Sequence, residues 1–522
     1  MTALSGRRAW LPLALALLWL GLTGFLRPLA VPDEGRYVGV AWHMLTSGNW
    51  LLPRLDGLPY FHKPPLFYWI TAASLALFGH SEWAARVAPM LGAWAGTTAC
   101  WLFARRWWDE RVAKLALVAL VAQPLVFVGA QYANLDMLVA GCIATTILAC
   151  AHAALAHAQG GRLPRAAMAT GYLFAALGLL AKGLIGIVLP GMVLVVWLAV
   201  TRRPRTLLAL MAWWPGWLLL AVVAGPWFLL MQREFAQFAY YFFYVQHFAR
   251  FSQTGFNNPQ PAWFYPLVLL LFAAPASLWA LAGLRRQAGA EPLHRQLRWL
   301  LWLWVVLVTL FFSQPHSKLV GYIFPVAFPL GLLAADAFAR AVPATRWRLL
   351  LWRAGTTLGV ALGLVALVWA SGWSPHSTRT LGEALRVRLM PGDRVVFLEA
   401  FYFDVPFYAR LRAPVVVVDH WGSPEVARQD NWRKELADAA EFDPERGRQL
   451  LVPVADLPRA LCGGGVTWVL AADSAPRDYP VLAAGEVIAS EDKVRLWRLP
   501  GDAPALSDAC RGTPSANPAG KS

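Results

Sequence analysis

Charged residues are scarce. Of 522 residues only 15% are Asp, Glu, Lys or Arg, whereas soluble globular proteins carry about a quarter. That shortage excludes an ordinary soluble enzyme. Acids are rarer still in the first 373 residues, with 10 Asp and Glu against 28 Lys and Arg; the remaining 149 residues hold 20 against 18. The excess positive charge of +16 therefore resides in the first part, scattered over short loops between apolar runs. Scattering of that kind argues against nucleic-acid binding and fits the bias of basic residues toward one side of a membrane. No cleavable signal is evident: Arg7-Arg8 and the apolar run Ala9 to Leu26 read as an uncleaved signal anchor. Cysteines number five. Cys100, Cys142 and Cys150 lie in apolar runs, while Cys462 and Cys510 lie in the C-terminal part and could pair in an oxidising compartment.

What is abundant is apolar. Hydrophobic residues make up 58% of the chain, with 28 Trp and 27 Phe. Runs of about 20 apolar residues, long enough to cross a bilayer core, fall near 9–29, 82–104, 112–130, 133–157, 167–182, 184–200, 207–230, 263–284, 297–313, 319–339 and 351–371. The fold class is an α-helical multi-pass membrane protein with about 11 spans. Arg7/Arg8, Arg105/Arg106/Arg111/Lys114, Arg162/Arg165, Arg202/Arg203/Arg205, Arg285/Arg286/Arg295/Arg298 and Arg340/Arg346/Arg348/Arg353 occupy alternate loops. They assign that side to the cytoplasm and leave the C-terminal domain outside. Pro64 to Ser81 is apolar enough to cross, but crossing would invert every later loop, so it reads as a helix lying at the interface.

Residues 374–502 change character. Arg394–Ala400, Pro414–Asp419, Leu450–Val454 and Val466–Ala472 read as strands, with helices near Val405–Leu411, Pro424–Ala440 and Leu457–Leu461. The alternation predicts a small α/β domain, followed by a disordered tail over 503–522.

The first outer loop, from about Ala30 to Lys63, holds the candidate chemistry. Asp33-Glu34 follow the first span, with Arg36 and Tyr37 a helical turn on. A carboxylate there could orient or deprotonate an acceptor, or could simply begin a helix. Lys63, behind His62 and ahead of Pro64, is placed either to meet a lipid phosphate or to snorkel. Asp136 sits in QYANLDMLVA at the outer end of a span, where an acid must face a polar cavity or a partner; Lys182 could be that partner or neutralise phosphate. Arg250 and Lys318 add cations on later outer loops. Arg36, Lys63, Lys182, Arg250 and Lys318 run against the positive-inside bias and call for an anionic partner such as a phosphate headgroup. No internal repeat of the transporter kind is visible, and the outer loops hold no Asp-x-Asp nucleotide-sugar motif.

The stretch DEGRYVGVAWHMLTSGNWLLPRLDGLPYFHKPPLFYWITAASLALFG resembles the first-loop signature of the bacterial GT-C glycosyltransferases of the protein O-mannosyltransferase superfamily, and within it most resembles the lipid A aminoarabinose (ArnT-like) transferases. ANLDM, LLAKGLIGIVLPG and HSKLVGYIFPVAFPLGLLAA follow in matching order. The resemblance implies a GT-C bundle of about 11–13 transmembrane helices with juxtamembrane helices over 31–81, an active site at the periplasmic face of the bacterial inner membrane, and an undecaprenyl-phosphate-linked sugar as donor. Lipid A is the implied acceptor, with a protein hydroxyl as the alternative and a lipid-linked sugar flippase as the rival outside the enzyme class. Asp33 and Asp136 match the family's acids. Arg36, Tyr37, Tyr60, Lys63, Arg250 and Tyr322 match phosphate- or cavity-lining positions. One departure stands out: the branch has Tyr-Phe-Glu-Lys-Pro, and this chain has Tyr60-Phe61-His62-Lys63-Pro64. His62 with His247 is a weak metal pair, and no cofactor is required.

Overall fold

A computed structural model describes residues 10–249, 258–284, 291–340, 345–372, 377–462 and 465–501, with the side chains of 247–249 and 371–372 excepted. The chain divides into two compact units: one comprises residues 1–27 and 61–373, the other 28–60 and 374–522.

The first unit is helical. Six of its described helices are long and apolar enough to cross a membrane: Val87–Trp107, Leu135–Ala158, Trp214–Glu234, Pro292–Ser313, Val320–Arg340 and Arg346–Ala370. Two bent pairs raise the number to eight. Each apolar run in the sequence contains helix, but several are not single rods. The run over 112–130 is Glu110–Val121 joined to Pro124–Ala130 at 63°, because Pro124 has no N–H to donate to the preceding turn. The run over 263–284 folds back at 107° between Phe264–Phe272 and Ala276–Leu284, with Pro275 at the break. The first run yields only Leu11–Gly21, followed by turns to Leu26. Pro64–Ser81 forms the Leu66–Phe78 helix of 13 residues, short of the ~20 that a straight span needs.

Small residues let these helices approach closely, as helix pairs in lipid require. A Cβ on Gly92 would overlap the backbone of Leu138, and one on Gly141 would overlap that of Gly92, which locks the 87–107 helix against the 135–158 helix. Buried charge is met by opposite charge or by hydrogen bonds. Asp336, 2% exposed, accepts from Arg298 Nε at 2.7 Å, Arg340 Nε at 3.1 Å and Trp108 Nε1 at 3.0 Å.

The second unit contains a six-stranded sheet in the order β5-β4-β3-β6-β8-β7. β3 (Arg394–Leu398), β4 (Val416–Asp419), β5 (Leu451–Pro453) and β6 (Thr467–Ala472) are parallel, as the predicted α/β pattern requires. β7 (Glu486–Glu491) and β8 (Val494–Leu499) add an antiparallel hairpin that the sequence reading missed. Val396, Leu398, Val418 and Trp497 anchor its core. The predicted helix over 424–440 is two helices, Pro424–Arg428 and Trp432–Glu441, the second capped by the Asn431 side chain.

Residues 28–60 pack within this same unit. Asp33–Ser47 is a helix whose first-turn Glu34 carboxylate accepts from the Ala30 N–H at 2.8 Å. Arg54–Leu55 (β1) and Leu58–Pro59 (β2) form a hairpin turned at Asp56-Gly57, both with positive φ, the conformation that Asp-Gly turns favour. Long-range bonds fix the segment: the Leu29 N–H donates to the Tyr408 hydroxyl at 2.8 Å, and Trp42 Nε1 donates to the Leu411 carbonyl at 2.8 Å.

Asp56 is the unusual member. Its Oδ1 accepts from the Val415 N–H at 2.8 Å, while Oδ2 is sealed from solvent with no hydrogen bond. Burial pushes this carboxyl up to about 7, although the Val415 N–H and Arg446 oppose the shift. A folded-state value above the unfolded one means that the contribution is present at low pH and lost as pH rises toward about 7. Asp56→Asn keeps the oxygen that meets Val415 and removes the charge. The variant is expected to melt several degrees above the parent at pH 8, with the gap shrinking at pH 5. Melting followed by intrinsic fluorescence at both pH values checks this, and an equal gap at both contradicts it.

Candidate active site residues

In the first unit, Asp136 and Lys182 form an ion pair. Asn134 caps the 135–158 helix by accepting from the Asp136 N–H at 3.0 Å, and its amide donates to Asp136 Oδ2 at 3.1 Å. Lys182, in the last turn of the Arg165–Lys182 helix, lies 4.3 Å from the centre of the Tyr322 ring, a cation–π distance. Tyr322 belongs to the 3-10 turn Val320–Val326 and also packs on Phe312 at 5.5 Å. Gly321 makes the approach possible, since a Cβ there would overlap the Asp136 carboxylate. Acid, cation and aromatic face thus come from three separated stretches. Their side chains are buried or nearly so, the acid 8% and the lysine 12% exposed. An ammonium has three N–H donors, so one engaged by Asp136 still has others to offer an anion.

Lys318 is 4% exposed; its ammonium donates to the Gln260 carbonyl at 2.8 Å and its N–H to the Asn258 carbonyl at 3.1 Å. That contact pins the 258–260 segment. His62 is buried, its ring 5.8 Å from that of Tyr241. Lys63, partly buried, lies just before the 66–78 helix. Among the described residues no group of three His, Cys, Asp or Glu stands together to hold a metal. Arg250, Cys510 and the His247 side chain lie outside the described residues.

In the second unit, Asp33 opens its helix with the side chain 35% exposed. Arg36 Nη1 lies 3.6 Å from its carboxylate, and Arg36 Nε lies 3.0 Å from Glu435 Oε2. The guanidinium also lies 5.0 Å from the Phe403 ring and 5.9 Å from that of Tyr37. Burial alone would lower the Arg36 value, but Glu435, Tyr60, Tyr37 and Asp33 outweigh it and hold the side chain firmly charged. Tyr60 is 1% exposed, and its N–H donates to the Pro53 carbonyl at 2.9 Å. Asp33, Arg36, Tyr37 and Tyr60 therefore share one electrostatic neighbourhood, with a firmly charged arginine beside a carboxylate that water can reach. Glu435, Gly321 and Asn134 escaped the sequence reading. Asn134 was the findable one, a polar residue at the cap position two before an acid in an apolar run.

Residues 62–229 match the family model described as dolichyl-phosphate-mannose-protein mannosyltransferase. An undecaprenyl phosphate-alpha-4-amino-4-deoxy-L-arabinose arabinosyl transferase of Pseudomonas fluorescens is 31% identical over 379 residues, covering 69% of this chain and 65% of that protein. The Pectobacterium carotovorum transferase of the same name is 32% identical over 336 residues, covering 64% and 59%. The chain thus matches less than two thirds of the length of these relatives. The crystal structure of ArnT from Cupriavidus metallidurans bound to undecaprenyl phosphate superposes with a TM-score of 0.77 at 26% identity, over 96% of this chain and 99% of that one. Fold and sequence together make this a multi-pass helical membrane protein with the fold of that ArnT. The likeness to that ArnT extends over nearly the whole of both chains.

Proposed function

We propose that this chain is a glycosyltransferase of the bacterial inner membrane that moves a sugar from undecaprenyl phosphate to lipid A at the periplasmic face. The observation that carries the reading is the near full-length likeness to an ArnT bound to undecaprenyl phosphate, joined to a lysine held over Tyr322 by Asp136. An acceptor oxygen attacks the anomeric carbon, the carbon–oxygen bond to phosphate breaks, and undecaprenyl phosphate leaves with the electron pair. Lys63, Lys182 and Arg250 neutralise the charge that grows on the leaving phosphate, the effect that usually dominates such catalysis. Asp33 takes the proton of a hydroxyl acceptor; toward a phosphate acceptor, already anionic, it orients the attacking group or the amine of an amino sugar. Asp136 positions Lys182 rather than acting as a base, since it is already ion-paired. Arginine-bearing loops on alternate turns support a cytoplasmic N-terminus and an outer C-terminal unit.

His62, where the aminoarabinose branch carries Glu, favours a sugar other than aminoarabinose within the same chemistry. A second reading, protein O-glycosylation, is supported by the mannosyltransferase family match. Mass spectrometry of lipid A and of envelope glycoproteins, with and without the gene, separates the two. A gain of one sugar on lipid A supports the first, and sugar confined to protein overturns it.

A further inference from the structure

A cavity of about 180 Å³ lies in the helical unit, lined by parts of the 135–158, 165–182, 185–200, 204–211 and 214–234 helices. Its walls are almost wholly carbon and sulfur. The two hydroxyls among them are already engaged: Tyr172 donates to the Leu210 carbonyl at 3.1 Å, and Thr146 to the Gly171 carbonyl at 3.3 Å. An apolar cavity of this size suits hydrocarbon; an engineered one of roughly 150 Å³ binds benzene. Gly191 lies on its wall, and a Cβ there would meet nothing within 4 Å.

The rim carries the opposite chemistry. The Pro204–Met211 helix, which supplies Leu210 and Met211 to the wall, follows Arg202-Arg203 directly and contains Arg205. His157 Nδ1 lies 3.2 Å from Thr206 Oγ1, so the 159–164 loop, with Arg162, emerges at the same end of the bundle. Arg162, Arg165, Arg202 and Arg205 are all exposed, and among the described residues none has an acidic partner. Leu208, Met211 and Trp214 are 65%, 52% and 69% exposed alongside, a surface suited to headgroup depth. A purely apolar slot beneath an unneutralised arginine rim matches an amphiphile with one anionic head.

We propose that this cavity seats an acyl chain of an anionic phospholipid of the bilayer, its phosphate met by Arg202 and Arg205. The site lies at the end of the bundle that bears the arginine loops, opposite the end that carries Asp136, and does not depend on the reaction proposed above. Basic residues near a membrane surface are each worth about 1 kcal/mol toward an anionic lipid, so two give an advantage of at least about tenfold.

Native mass spectrometry of the purified full chain, titrated with phosphatidylglycerol and with phosphatidylcholine, tests it. The parent is expected to hold one phosphatidylglycerol at about tenfold lower concentration than phosphatidylcholine. Gly191→Phe, which fills the open space, is expected to lose that tight adduct. Arg202→Ala with Arg205→Ala, both at the surface and unable to disturb packing, is expected to bind the two lipids alike. Equal binding of both lipids by the parent overturns the proposal. So does an unchanged preference in the double arginine variant, or retention by the parent of a neutral isoprenoid in place of phospholipid.

Discussion

Asp33→Asn is expected to lower sugar transfer by about 10²–10⁴-fold, the usual worth of a positioned general base, with little change in melting temperature. The side chain is 35% exposed, so its oxygens can reach a substrate. The substitution preserves shape and removes only charge and basicity. The fold of the second unit should tolerate it because Arg36 keeps Glu435 at 3.0 Å and the Asp33–Ser47 helix keeps the Glu34 contact to Ala30. Transfer assayed in membranes from a matched expression strain gives the result. Activity near that of the parent removes Asp33 from the reaction.

The Asp136–Lys182 pair should respond differently. Removing one partner leaves a charge among apolar helices, which costs about 3–5 kcal/mol; Asp136→Ala and Lys182→Met alone are each expected to lower the melting temperature sharply. Asp136→Asn combined with Lys182→Met removes both charges and should recover most of that stability. It should not recover activity if the ammonium held over Tyr322 has the proposed role of neutralising the leaving phosphate. A pair that serves only the fold would let the double variant regain both. In Asp136→Asn alone, where Lys182 remains but is less firmly held, a positioning role predicts a larger loss in kcat than in KM.

Much of the helical unit was legible because apolar runs and arginine-bearing loops are local signals. Asp136 announced itself as an acid in an apolar span, and Lys182 as its candidate partner. Bends were less legible, since a proline marks a possible break without giving its angle, as at Pro124 and Pro275. The β7–β8 hairpin was missed because Glu486, Glu491, Arg495 and Arg498 interrupt its apolar alternation, and burial on one face of a sheet end is not encoded locally. Least legible was the grouping of 28–60 with the C-terminal unit. It rests on Leu29–Tyr408, Trp42–Leu411 and Asp56–Val415, contacts between residues some 360–380 positions apart, for which one sequence carries no periodicity. Glu435 illustrates the same point: in WRKELADAAE it reads as one more solvated helix charge, yet it is 7% exposed and faces Arg36.

Reconstitution tests the central claim most directly. The purified chain would be placed in vesicles with lipid A and an undecaprenyl-phosphate-linked amino sugar, and both lipids followed by intact mass. The account predicts that lipid A gains one sugar residue for each undecaprenyl phosphate released, and that Lys182→Met slows both together. Donor that stays intact, or that only crosses the bilayer without losing its sugar, would contradict it.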